Sequence, residues 1–281
     1  MKMTDHYIEK ELAGLYPDTE IKGLKRIILE TVCGWGFTEQ ITKRDETIPE
    51  GGSSQIKAIV ARLKNAEPIQ YVLGETEFFG LKLKVNPAVL IPRPETLELV
   101  EWVLQSKLPD RCNILDIGTG SGCIALAIKK NIRDARVSAI DISEKALEIA
   151  RLNADINNLG IEFFQADILH LRKIGGEKYD VIVSNPPYVR ESEKAKMHNN
   201  VLCYEPGIAL FVDDKDPLVF YNAIAIFAKE NLTANGQLFF EINEKLGEEM
   251  SGLLSGLGFT EIEIRKDING KNRMIRCVDR I

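Results

Sequence analysis

Residues 113–122 read Asn113-Ile114-Leu115-Asp116-Ile117-Gly118-Thr119-Gly120-Ser121-Gly122. An apolar run that passes directly into three glycines at alternate positions reads as a buried strand followed by a tight turn, open to close approach by a ligand. Downstream, short apolar runs recur at 136–142, 161–165, 179–184 and 236–242, separated by helical segments such as Glu144–Asn153 and Pro217–Glu230. Short buried strands alternating with helices predict a doubly wound, mostly parallel α/β sheet. Two further strands, 260–265 and 273–278, flank Asp267-Ile268-Asn269-Gly270, whose Asn-Gly pair is a hairpin signal. The expected sheet therefore has seven strands and ends antiparallel.

Upstream the pattern is helical over residues 4–72. Ile21, Leu24, Ile27, Ile28 and Val32 follow an i, i+3, i+4 spacing after the acidic start Asp18-Thr19-Glu20, and Gly34 ends that helix. A second helix runs from Ser53 or Ser54 through Ile56, Ile59, Val60 and Leu63, after the breaker Pro49-Glu50-Gly51-Gly52. Residues 76–85 alternate about Gly80 and predict a two-stranded hairpin. The resulting division is a helical bundle at 1–73, a β-hairpin linker at 74–92 and an α/β domain at 93–281.

The chain of 281 residues is 44% hydrophobic and 28% charged, which sets aside the disordered and fibrous classes. Its formal charge of −6 is a poor start for gripping a phosphate backbone, and residues 1–90, with 12 basic and 13 acidic side chains, form no basic arm. Five cysteines stand apart with no CxxC spacing, as reduced thiols in a cytoplasmic protein do. His6, His170 and His198 are too scattered for a metal site, and no run is long enough to span a membrane. No metal, membrane or direct nucleic-acid partner is expected, and a monomer is the default.

Gly120 to Ala125 fits G-x-G-x-x-A, with Asp141 about 20 residues on, so a dinucleotide is one reading of the loop. The carboxylates favour S-adenosyl-L-methionine instead. Asp116 stands just before the first glycine, where it can order the loop or meet the ammonium of an amino-acid cofactor end, whereas a pyrophosphate would be repelled. Asp141 would accept both ribose hydroxyls. Asp167, after the third strand, would accept from the adenine amino group, with Ile168 lining the ring. As the alternative, Asp116 and Asp167 cap local turns.

The fourth strand runs into Asn185-Pro186-Pro187-Tyr188. Ligands of open α/β sheets bind beyond the carboxyl ends of the strands, so this tetrapeptide should face the glycine loop. A Pro-rich turn accounts for Pro186 and Pro187 but not for the residues flanking them. The Asn185 side-chain oxygen and the Pro186 carbonyl can each accept one N–H of a planar NH2 group, leaving its lone pair aimed at an incoming methyl. Tyr188 offers a flat face for stacking. This is the chemistry of N-methylation of an amide or aromatic amine.

With these residues in view, the chain resembles the peptide-chain release factor glutamine N5-methyltransferases. Besides Asn185–Tyr188, the resemblance rests on Glu67-Pro68-Ile69-Gln70-Tyr71-Val72-Leu73-Gly74, Phe78-Phe79-Gly80, Val89-Leu90-Ile91-Pro92-Arg93-Pro94-Glu95-Thr96, Tyr204-Glu205-Pro206 with Ala209-Leu210, and Asp267, Gly270 and Arg273. It implies a Rossmann-like class I S-adenosyl-L-methionine-dependent methyltransferase domain, S-adenosyl-L-homocysteine as product, and the glutamine of the Gly-Gly-Gln motif of class 1 release factors as acceptor. The N-terminal domain would recognise the release factor. Carried over, Gly118, Thr119, Gly120, Ser121, Gly122, Asp141, Asp167, Ile168 and Asn185 bind the cofactor, and Asn185, Pro186, Pro187 and Tyr188 hold the acceptor. Asn185, Pro186 and Tyr188 are the catalytic candidates. The tetrapeptide also occurs in adenine N6-methyltransferases, the alternative activity. Some relatives carry Trp where Ile168 stands, and many have glycines after Ala209-Leu210 that this chain lacks. Arg93 and Glu95 either cap the helix opened by Pro94 or, for Arg93, close over the site. Residues 190–200 read as a solvated loop or as a lid that orders on binding.

Overall fold

The computed structural model describes residues 2–43, 46–174 and 176–280. They divide into two units: residues 1–74 with 198–204, and residues 75–197 with 205–281. The first unit contains α1 (Lys2–Leu12), α2 (Asp18–Cys33), α3 (Phe37–Thr42), α4 (Gly52–Leu63) and α5 (Ile69–Leu73), of which all but α3 bury one cluster containing Ile8, Leu12, Ile28, Leu29, Val60 and Leu63. The i, i+3, i+4 stripes of α2 and α4 supply most of it. Gly34 ends α2 in the left-handed region (φ 68°), its N–H returning to the Glu30 carbonyl.

The second unit opens with a hairpin of β1 (Glu75–Phe78) and β2 (Leu81–Lys84), then α6 (Pro94–Leu104). The sheet follows as β3 (Asn113–Ile117), α7 (Cys123–Asn131), β4 (Arg136–Asp141), α8 (Glu144–Asn157), β5 (Glu162–Gln165) and β6 (Tyr179–Ser184). Next come the two-residue strand β7 (Val189–Arg190), α9 (Asn199–Tyr204), which belongs to the first unit, and β8 (Phe211–Val212), parallel to β7. The chain closes with α10 (Val219–Asn231), β9 (Leu232–Glu241), α11 (Gly247–Gly256), β10 (Thr260–Lys266) and β11 (Asn272–Val278).

The seven strands lie in the order β10-β11-β9-β6-β3-β4-β5, with β11 antiparallel to both neighbours and the rest parallel. Consecutive residues face opposite sides of the sheet. Val181 and Val183 enter the core under α6 and α7, whereas Ile182 enters the core under α10 and α11. Phe239 meets Trp102 edge-on on the first side (ring centroids 5.5 Å apart), and Phe240 meets Tyr221 edge-on on the second (5.2 Å). The strand order reverses at β3, so the carboxyl ends of β3 and β6 open a crevice.

The expected hairpin is present, and its residues Phe78, Leu81 and Leu83 pack into the core of the second unit. Asn153 on α8 explains its seat. Fully buried, it accepts from the Lys84 N–H (2.6 Å) and donates to the carbonyls of Lys84 (3.0 Å) and Ser121 (2.9 Å). One amide thus joins the hairpin to the glycine loop.

Candidate active site

Beyond the carboxyl ends of β3, β4 and β6 lies a cavity of about 360 Å³ formed entirely by the second unit. The loop after β3 is shaped by its glycines. Gly118 and Gly120 take left-handed φ values of 74° and 55° with open space where a Cβ would stand. Gly122 (φ 82°) serves packing instead, since a Cβ there would lie 3.2 Å from both the Ala150 Cβ and the Leu126 Cδ1. The N–H groups of Gly118 and Thr119 both donate to the Ile140 carbonyl, which binds the loop to β4. Ser184 does the same for β6 through its hydroxyl, 2.7 Å from the Ile117 carbonyl.

Asp116 lies beneath this loop, fully buried and outside the cavity lining. One of its oxygens accepts from the Thr119 hydroxyl (2.6 Å) and the Ala125 N–H (3.2 Å), while the other is unpaired. Burial pushes its pKa up to about 7. Of the two roles open to it, ordering the loop is the one this geometry supports. The expected contact with a cofactor ammonium is not, because a fully buried side chain presents no atom to the cavity.

Gly118, Thr119, Gly120, Ser121, Asp141, Asp167, Ile168, Asn185, Pro186 and Pro187 all line the cavity. Gly122 stands one residue behind the lining. Asp141 ends β4 and accepts from the Gly120 and Ser143 N–H groups, each at 2.9 Å, so each carboxylate oxygen keeps a lone pair for a ligand. Burial raises its pKa against those hydrogen bonds. Asp167 caps its own turn through the Leu169 N–H (2.9 Å) while still facing the cavity, so the capping and binding readings are compatible. The exposed side chains of Ile142, Leu169 and Ile208 give the same cavity apolar walls. These features fit a nucleoside cofactor: a carboxylate for hydroxyls, apolar walls for a base, and glycine backbone with room for close approach. Among the described residues no group of three or more His, Cys, Asp or Glu side chains could hold a metal ion.

Asn185 follows β6 and points its side-chain NH2 at the Thr96 hydroxyl (3.2 Å). Thr96, in the first turn of α6, donates to Glu241 at the end of β9 (2.7 Å), and Tyr188 donates its phenol to the other oxygen of that carboxylate (3.0 Å). Tyr188 is outside the cavity lining, and its ring packs against the core under α10 and α11. Where stacking on a substrate was expected, the phenol is a tether, because a buried hydroxyl needs an acceptor and Glu241 supplies one. Burial and the Glu241 charge hold that phenol protonated. Arg93 lines the cavity and pairs with Glu205, whereas Glu95 stands in the first turn of α6.

Two models match the chain, a Methyltransferase small domain over residues 98–205 and a PrmC N-terminal domain over residues 6–74. The release factor glutamine methyltransferase of Flavobacterium psychrophilum is 46% identical over 269 residues, covering 94% of both chains. This chain belongs to the release factor glutamine methyltransferase family. The relative from Bacteroides thetaiotaomicron is 43% identical, covering 96% of each chain, and that from Lactococcus lactis 44% over 82% of this chain and 84% of its own. A methyltransferase from Pyrococcus furiosus has the same fold, with a TM-score of 0.55 at 22% identity over 72% of this chain and 91% of its own.

Within the family's site, sequence reading passed over Glu241 and left Thr96 without a role. Glu241 closes the apolar run Leu238-Phe239-Phe240 as Asp141 closes β4. An acidic residue ending a buried strand is a signal that could have found it. The expected lid, residues 190–200, is partly structured: residues 191–196 form a 3-10 helix, and Glu193 there accepts from Arg190, Asn243 and Lys245. In the first unit, Tyr204 at the end of α9 donates to the Asn65 carbonyl (2.8 Å).

Proposed function

We propose that this chain transfers a methyl group from S-adenosyl-L-methionine to the side-chain amide nitrogen of the glutamine in the Gly-Gly-Gln motif of class 1 peptide chain release factors, acting in the cytoplasm as a monomer. The supporting observation is that Asn185, Pro186 and Pro187 open onto the same cavity as the glycine loop and Asp141, so acceptor and methyl donor can share one enclosure.

Asp141 would hold the ribose hydroxyls, Ile168 and its apolar neighbours the base, and Gly118 and Gly120 the amino-acid end, where Thr119 is fixed by Asp116. When bound, the cofactor supplies an electrophilic methyl carbon on a sulfonium, whose departing sulfur keeps the bond's electron pair as the thioether of S-adenosyl-L-homocysteine. The chain's task is the acceptor. An amide nitrogen is a poor nucleophile because its lone pair is delocalised into the carbonyl. Asn185 and the Pro186 carbonyl accept its two N–H groups, hold the lone pair toward the methyl, and stabilise positive charge as it grows on nitrogen. One such preorganised group contributes about 3 kcal/mol. The two prolines fix the turn in advance, so no ordering is needed at reaction. The proton is then lost readily to water from the charged nitrogen, and no strong base is required.

Residues 1–73 would recognise the release factor, consistent with the match of residues 6–74 to a dedicated N-terminal domain model. A labelled-methyl assay tests the whole reading against purified release factors, the same factors with the acceptor glutamine changed, and DNA. Label on the native factor that vanishes with the glutamine is the expected result. Label retained by the altered factor would overturn the assignment, and label on DNA would favour an adenine acceptor.

A further inference from the structure

Proton counting along Asn185, Thr96 and Glu241 fixes the direction of every hydrogen bond. A threonine hydroxyl has one proton to give. The Thr96 Oγ1 lies 2.7 Å from Glu241 Oε2 and 3.2 Å from Asn185 Nδ2. An ionised carboxylate only accepts, so the proton of Thr96 points at Glu241. Toward Asn185 the hydroxyl oxygen can then only accept, and Asn185 must turn its NH2 group that way. The carbonyl oxygen of the planar amide is thereby held on the opposite branch, free to accept an N–H from an acceptor group.

A carboxamide turned by half a revolution occupies the same volume, so packing alone selects its orientation weakly. The carboxylate supplies the selection. Burial raises the pKa of Glu241, but each of its oxygens receives a donor, Thr96 on Oε2 and Tyr188 on Oε1 (3.0 Å), and these two bonds with the nearby positive charge of Arg273 favour the ionised form. Arg273 is itself held by Asp267 (3.2 Å) and the Ile242 carbonyl (3.4 Å). Both Glu241 and Thr96 are almost entirely buried, at 1% and 2% exposure.

We propose that Glu241 is a positioning residue that sets the amide orientation of Asn185 through the hydroxyl proton of Thr96, so that the Asn185 oxygen, and not its NH2, meets the substrate. The inference deepens the proposed glutamine methylation and rests on it for its kinetic consequence. Glu241 touches neither cofactor nor acceptor, being absent from the cavity lining, whereas Thr96 reaches it.

Two near-isosteric substitutions test the relay. Glu241→Gln can present an NH2 to Thr96, which frees the hydroxyl proton to point at Asn185 and favours the turned amide. Thr96→Val removes the hydroxyl. Each is expected to lower kcat by about ten- to a hundredfold while KM for the release factor and the Kd for S-adenosyl-L-homocysteine stay within about threefold, the pattern of lost transition-state orientation. Thr96→Ser, which keeps the hydroxyl, recovers most of the rate lost in Thr96→Val. The double variant is no slower than the slower single one, because both act on the same proton. A kcat within about threefold of wild type in either single variant, or losses that multiply in the double, would overturn the proposal. The side-chain NH2 resonances of Asn185 in 15N-labelled protein give a readout that needs no acceptor: they move in both single variants if the relay operates, and unmoved resonances reject it. Wild-type protein that leaves the release factor unlabelled would sink the proposed activity, and the resonances would still decide the role of Glu241.

Discussion

Arg93 and Glu205, separated by 112 residues, meet at 2.6 Å, and the carboxylate of Glu205 also accepts the Ile91 N–H at 3.2 Å. Glu205 is the residue at which the chain re-enters the second unit after 198–204. Its side chain is 1% exposed, whereas that of Arg93 is 32% exposed. The two partners are therefore not equivalent. Arg93→Ala leaves a buried carboxylate short of a donor and should cost about 1–3 kcal/mol, while Glu205→Gln keeps an acceptor for Ile91 and should cost less. Urea denaturation of the two variants checks the order.

Glu193 is expected to contribute to acid stability. Burial raises its pKa, but donors from Lys245, the Arg190 backbone and guanidinium, and Asn243 together outweigh burial and hold it down to about 2. A pKa depressed below the unfolded value of about 4.3 means that the contribution is complete above that pH and is lost as pH falls from there toward about 2. Glu193→Gln should flatten the fall in stability across that window and leave the profile above it unaltered in slope. Thermal unfolding at stepped pH reads this directly.

The glycines of the loop should separate by readout. Gly122→Ala forces a Cβ to 3.2 Å from Ala150 and Leu126 at a φ of 82°, a combined strain of about 1–3 kcal/mol. Gly120→Ala meets no atom within 4 Å and carries only the backbone strain of its left-handed φ of 55°, about 1 kcal/mol, so beyond that smaller loss its effect should fall on S-adenosyl-L-homocysteine affinity. Melting temperature and calorimetry on both variants distinguish packing from binding.

Asn185→Ala removes the side-chain acceptor from the cavity wall. Turnover should fall by about a hundredfold or more, with much of the S-adenosyl-L-homocysteine affinity retained. A near-normal rate would remove Asn185 from the mechanism.

How far residues could be read in advance depended on whether their reasons were local. The strands at 113–117 and 179–184 lie at the positions expected of them, because strands buried on both faces must be continuously apolar. β9 was expected from 236 and starts at Leu232, with its pairing to β6 passing from Tyr179↔Leu232 to Val181↔Gln237 across a register shift. α8 was expected to stop at Asn153 and continues to Asn157, where Asn158 caps it in the left-handed region (φ 53°), while the Asn153 amide goes to Lys84 and Ser121. The cap is a local signal, and the partners of Asn153 have none.

The same division holds for the site. Glycines, strand-end carboxylates and Asn185-Pro186-Pro187-Tyr188 announce themselves through spacing, since each follows a strand whose burial fixes where it ends. What Tyr188 bonds to, and which way Asn185 points, follow from partners 53 and 89 residues away. Thr96 and Glu241 meet because the sheet order seats the end of β9 beside β6 and because α6 packs over that sheet. Hydrogen-bond direction is a property of such meetings: a side chain's type states how many protons it can give, and only its assembled neighbours settle where they go.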